Sequence, residues 1–199
     1  MLKKSPVKHR SFGLKELLLL IALKLEGPIG RYRLKEILDL SEHEGVVRLM
    51  LSRLQSSGWI SAGKLGCSLT ETGRSRLKRL MAKNGIVFVT HLNAGPLKTG
   101  LYSALVHLEG CADKAVAVVK HRDAAVRVGA EGATIVVFQN GILTVPNVYP
   151  DLCSEYPEIA DMIIQSFHPS EGDVFIISFS DNKWKALEGA LASAISLQK

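Results

Sequence analysis

The sequence predicts an α+β protein in two parts. A run of helices closed by a small hairpin comes first, and a part that mixes strands with helices follows. Three observations carry this reading. Apolar residues recur at helical spacing as far as residue 84, and short β-rich runs alternate with helical ones after it. The charge also changes sign between the two parts. Up to Asn84 there are 17 Lys and Arg against 7 Asp and Glu, a net +10; from Gly85 onward there are 8 against 12, a net −4. A basic part joined to an acidic one points to different partners, with a polyanion suited to the first. With 199 residues, 47% of them hydrophobic, the chain can bury a core as one domain or two small ones.

The first helix is expected over 13–26, GLKELLLLIALKLE, apolar enough to be buried nearly all round. Gly27-Pro28 ends it, because proline has no N–H to continue the ladder. A short second helix fits Arg33 to Leu40. Ser41 and Glu44 then have the spacing of a capping box, S-x-x-E, in which hydroxyl and carboxylate each satisfy the other's free N–H. The helix that follows carries Val47, Met50, Leu51 and Leu54 inward and stops at Ser57-Gly58. Trp59 to Ala62 and Cys67 to Thr70 read as two strands joined across Gly63-Lys64-Leu65-Gly66. A further helix from Glu71 to Lys83 turns Leu77, Leu80 and Met81 inward.

Three helices, a two-stranded hairpin and a closing helix, with only a short turn before the third, give the order of a winged helix-turn-helix. The run from Leu40 to Ile60, L-S-x5-V-x3-L-x2-L-x3-G-W-I, followed by L-T-x-x-G from Leu69 to Gly73, resembles bacterial and archaeal winged-helix repressors. That resemblance covers about residues 11–84. It implies a recognition helix, a wing and the start of the next helix.

Beyond Gly85, Ile86 to Thr90 is strand-like, and HLNAGPLKTG contains the Gly95-Pro96 of a linker. The expected division is therefore 11–84, a linker over 85–97, and a C-terminal domain over 98–199. In that domain Leu101 to Leu108, Thr134 to Gln139, Ile142 to Val145 and Asp173 to Ser180 are strand-like. Asn140-Gly141 marks a tight hairpin. Helices are expected over His121 to Val128, Tyr156 to Phe167, and from an Asp181 cap to about Leu197. About four strands with helices on one face would satisfy this pattern.

The residues Arg122-Asp123-Ala124, Gly129-Ala130-Glu131-Gly132-Ala133, Tyr156-Pro157-Glu158, Glu171-Gly172-Asp173 and Glu188-Gly189-Ala190-Leu191-Ala192 are similar to those of an archaeal two-domain family. Its members have an N-terminal winged helix and a C-terminal α+β domain of unassigned function. The resemblance implies the fold and no particular chemistry.

Helical geometry places Gly45, Arg48, Leu49, Ser52 and Arg53 on the outward face of the third helix. Arg48 suits guanine O6 and N7 in the major groove, Ser52 can reach base or phosphate, and Arg53 suits phosphate. Lys64 at the hairpin tip and Arg31 and Arg33 before the second helix would meet the backbone, and Lys3, Lys4, Lys8 and Arg10 would form an arm. The cluster Arg74, Arg76, Lys78, Arg79 and Lys83 reads as a solvated face as readily as a phosphate track. Arg122, Asp123, Asn182 and Lys185 are candidates for an effector pocket in the C-terminal domain.

The remaining chemistry is sparse. Six scattered histidines and three widely spaced cysteines (Cys67, Cys111, Cys153) give no metal-ligand spacing and no disulfide framework. There is no phosphate-binding loop or nucleophile elbow, no cofactor is expected, and Asp123 and Asp173 have no partner at catalytic spacing. The longest apolar run, Leu17 to Leu23, falls short of the ~20 residues a membrane helix needs, and no secretion signal is read. The expectation is a cytoplasmic, non-enzymatic transcriptional regulator that binds double-stranded DNA as a homodimer, with the C-terminal domain serving dimerisation, the sensing of a small-molecule effector, or both. The alternatives are an RNA- or ribonucleoprotein-binding adaptor and an enzyme with its site in the C-terminal domain.

Overall fold

The computed structural model describes residues 13–92 and 100–198. The basic arm expected near the N-terminus and the Gly95-Pro96 turn lie outside them. The helix α1 (Leu14–Glu26) buries every residue from Leu17 to Leu23, as an apolar run without a polar stripe must. It is followed by α2 (Arg31–Ile37) and α3 (Glu44–Ser56). A two-stranded antiparallel hairpin, β1 (Ile60–Gly63) and β2 (Gly66–Leu69), leads into α4 (Glu71–Lys83).

The capping box before α3 does not form. His43 is the residue at the helix start and makes no side-chain cap, while the Glu44 carboxylate turns to cations instead. At α4 the L-T-x-x-G motif has a clear physical meaning. Thr70 Oγ1 accepts from the Gly73 N–H at 3.0 Å and donates to the Gly58 carbonyl at 2.6 Å. Gly73 itself lies so close to the Trp59 carbonyl that a Cβ there would overlap it. The motif therefore pins the end of α3, the hairpin and the start of α4 at one point.

The second part is built on one five-stranded, wholly antiparallel sheet of order β3-β4-β7-β5-β6. Its strands are β3 (Ile86–Leu92), β4 (Tyr102–Leu108), β5 (Gly132–Gln139), β6 (Ile142–Thr144) and β7 (Val174–Ser180). The Asn140-Gly141 turn joins β5 to β6 with positive φ at both residues, as a tight hairpin requires. The helices are α5 (Val118–Arg127), the short α6 (Leu152–Glu155), α7 (Pro157–Phe167) and α8 (Lys183–Leu197). The last is capped by Asn182, which accepts from the N–H groups of Trp184 and Lys185. Asp181, expected as that cap, instead accepts from the Leu101 N–H.

Two features differ from the sequence reading. The stretch 85–97 contains β3, an edge strand of the main sheet, which makes five strands rather than about four. Helices also cover both faces of the sheet, not one. One face, with Ala104, Val106, Ile135 and Ile176, packs on α8. The other, with Leu105, Val136, Phe175 and Ile177, packs on Leu152 of α6 and Ile159 and Ile163 of α7. The strands β4 and β7 are apolar at successive positions because both of their faces are covered.

The helical part is joined to this sheet by burial and by charge. One hydrophobic cluster runs from Leu17 of α1 through Leu77 of α4 to Leu187 and Leu191 of α8. Beside it, Lys15 of α1 pairs with Glu188 of α8 at 2.7 Å, and Lys183 pairs with Glu26 at 2.9 Å.

Candidate functional site

The geometry of α3 follows from its buried stripe. Val47, Leu51 and Leu54 face the core and Met50 packs beside them, which turns Gly45, Arg48, Leu49, Ser52 and Arg53 outward. All five are exposed; Arg48 has 69% of its side chain open to solvent and Leu49 is 53% exposed. Among the described residues no element of the second part covers this face. Val46, 49% exposed, lies outward as well and was not among the residues singled out from the sequence.

The N-terminal end of α3 is a cluster of charge. Glu44 lies 3.1 Å from Arg31, 3.4 Å from Arg48 and 3.7 Å from Lys35. Lys35, Arg31 and the hydrogen bond from Arg48 hold its carboxyl below the usual carboxylate range. Arg31 also lies over the exposed Tyr32 ring at 5.5 Å. Arg33 pairs with Glu36 on the surface of α2. Lys64 and Leu65 stand exposed at the turn between β1 and β2, Leu65 at 81%. On α4, Arg76 lies over the Trp59 ring at 5.0 Å, which gives it a packing role, while Arg74 hydrogen-bonds the Leu69 carbonyl.

None of the four candidates for an effector pocket lines either of the two cavities described below, and each is engaged by neighbouring groups. Arg122 and Asp123 pair with each other at 3.0 Å on the exposed side of α5. Asn182 caps α8. Lys185 binds Asp39 at 2.8 Å, the Val128 carbonyl at 3.0 Å and Glu188 at 3.5 Å. Burial opposes the charge on Lys185, but Asp39 and Glu188 outweigh it and raise its pKa; the same contact lowers that of Asp39.

Asp173, which lacks a partner in the sequence pattern, has one in space. Its Oδ2 lies 2.9 Å from Nε2 of His107 and accepts from the Ser170 N–H at 2.9 Å. Both side chains are buried, and the His107 ring stacks on Phe175 at 4.4 Å. Their separation by 66 residues hides the pair from any local motif. They line a cavity of about 310 Å³ with Ser166 and Ser170. A larger cavity of about 670 Å³ opens between α1, α4 and β3. Among the described residues no three His, Cys, Asp or Glu side chains are grouped to hold a metal ion, and no helix is long and apolar enough to cross a membrane.

Residues 99–197 match the family model described as a domain of unknown function, DUF4443. That match spans most of the sheet and α5 to α8. Among solved structures, the hypothetical protein PH0730 from Pyrococcus horikoshii OT3 is similar in fold, with a TM-score of 0.70 and 23% identity over 94% of each chain. No curated protein matches the chain.

Proposed function

We propose that this protein is a transcriptional regulator that binds double-stranded DNA, with α3 in the major groove and the β1–β2 hairpin against the backbone. On this reading α1 to α4 form a winged helix-turn-helix, and the sheet part serves dimerisation or effector sensing. The observation that carries the proposal is the outward face of α3, where Arg48, Leu49, Ser52 and Arg53 stand uncovered in the part of the chain with net charge +10. A helix of 13 residues is about 20 Å long, enough to lie along the groove. Its turn-linked predecessor α2 brings Arg31 beside its N-terminal end through Glu44. The acidic sheet part, net −4, would be repelled by phosphates, which orients the molecule with α3 toward the duplex.

Fluorescence anisotropy with labelled duplex DNA across a salt series tests this. With ~5 phosphates neutralised per protomer, log K should fall against log salt with a slope near −4 to −5. A slope near zero rejects the proposal, and preferential competition by structured RNA transfers it to the RNA-binding alternative. Arg48→Ala should flatten base preference by about 1–3 kcal/mol at one position, whereas Lys64→Ala should weaken all sequences alike. A pool of random duplexes supplies the operator for that comparison.

A further inference from the structure

The larger cavity lies where the helical part meets the sheet. At about 670 Å³ it falls within the ordinary range of small-molecule sites. Its walls come from separate elements: Lys24 near the end of α1, Leu69 at the end of β2, one side of α4, and Ile86 and Val87 of β3. Leu69, Leu77, Met81 and Ile86 give it an apolar floor. Around that floor stand Lys24, Arg74 and Lys78, opposed by the single carboxylate of Glu109.

The cations are little engaged by the protein itself. Among the described residues Lys24 and Lys78 form no ion pair, and Arg74 reaches Glu71 only at 4.0 Å and the Leu69 carbonyl at 3.3 Å. Two lysines without an ion-pair partner among the described residues, beside an arginine and an apolar hollow, match one kind of ligand, an anionic head on an apolar body. A neutral apolar molecule would leave the charges unused, and an amine would meet three like charges for one opposite. We infer that this cavity is a binding site for a small apolar carboxylate, its tail on Leu77, Met81 and Ile86 and its carboxylate among Lys24, Arg74 and Lys78. The site stands whether or not α3 meets DNA, since none of its residues belongs to that face.

Isothermal titration calorimetry on the full chain tests the inference with decanoate, decanol and decylamine. Decanoate should bind saturably at one site per chain, and decanol and decylamine at least about tenfold more weakly, because neither satisfies the cations. Lys24→Gln combined with Lys78→Gln should weaken decanoate about tenfold or more while leaving decanol unchanged. Ala82→Trp, at an exposed position on the cavity wall, should block decanoate while thermal unfolding stays as in the parent chain. Non-saturable uptake, equal affinity for the three probes, or decanoate binding unchanged by Ala82→Trp in a normally folding chain would overturn it.

Discussion

Glu44 is the residue on which the charge at the start of α3 turns. Its carboxylate neutralises part of Arg31, Lys35 and Arg48, the cations a phosphate would have to recruit. On the DNA-binding reading Glu44 is thus a competitor inside the interface. Glu44→Gln should tighten binding to duplex DNA about three- to tenfold, more at low salt than at high, because it removes a like charge facing the phosphates. Anisotropy titrations at two salt concentrations measure this; weaker binding would show that Glu44 serves to aim Arg48 instead. The outward residues of α3 were legible in the sequence because the stripe of Val47, Leu51 and Leu54 fixes where the others point. The role of Glu44 was not. Its spacing from Ser41 suggests a cap, and only the tertiary approach of α2 shows the cations that claim it.

Between elements, the contact of β3 with α8 is poorly matched in polarity. His91 of β3 lies edge-on to the Trp184 ring at 5.2 Å, and both its ring nitrogens are buried with no hydrogen-bond partner among the described residues. Burial, with the nearby Lys183 charge, lowers the His91 pKa to about 4, against the weaker pull of Glu26. The unfolded chain therefore takes up a proton at a pH where the folded one does not, so stability is fully present above the ordinary histidine pKa. It is lost as pH falls from about 6.5 towards 4, by about 2 kcal/mol once partial solvent screening is allowed for. Urea unfolding at pH 7 and pH 4.5 should show this loss in the parent chain and a smaller one in His91→Phe; equal losses would remove His91 as the cause. Most element types were readable from periodicity and turn residues, and the Asn140-Gly141 hairpin from two residues alone. The second helical layer was missed, since helices were expected on one face; its signal lay in the continuous apolar runs Ala104-Leu105-Val106 and Phe175-Ile176-Ile177, which suit strands covered on both faces. The insertion of β7 between β4 and β5 had no local signal, since strand order depends on which faces find partners after collapse.

For the molecule as a whole, the helical part and the sheet are held by a shared core and by α8, whose Lys183, Lys185 and Glu188 pair with Glu26, Asp39 and Lys15. The innermost of these pairs matters most. Glu188 is 1% exposed, and without Lys15 it would keep only Lys185, at 3.5 Å, among the described residues. Lys15→Met should therefore cost about 2–3 kcal/mol, less than a fully buried pair because Lys15 is partly open to solvent. Lys15→Met with Glu188→Leu should recover most of that, since two apolar side chains need no compensation. The two tryptophans report on the two parts separately, Trp59 beside the hairpin and Trp184 at the start of α8. In Trp184→Phe and Trp59→Phe variants, urea unfolding followed by the remaining tryptophan should give transitions of equal midpoint and slope once each variant is referred to its own circular dichroism curve. If Trp59 instead reports an earlier transition than the circular dichroism of the same variant, the helical part unfolds on its own, and the shared core and ion pairs do not couple it to the sheet. With coupling, Lys15→Met moves both reporters together, because the charge it strands lies between the two parts.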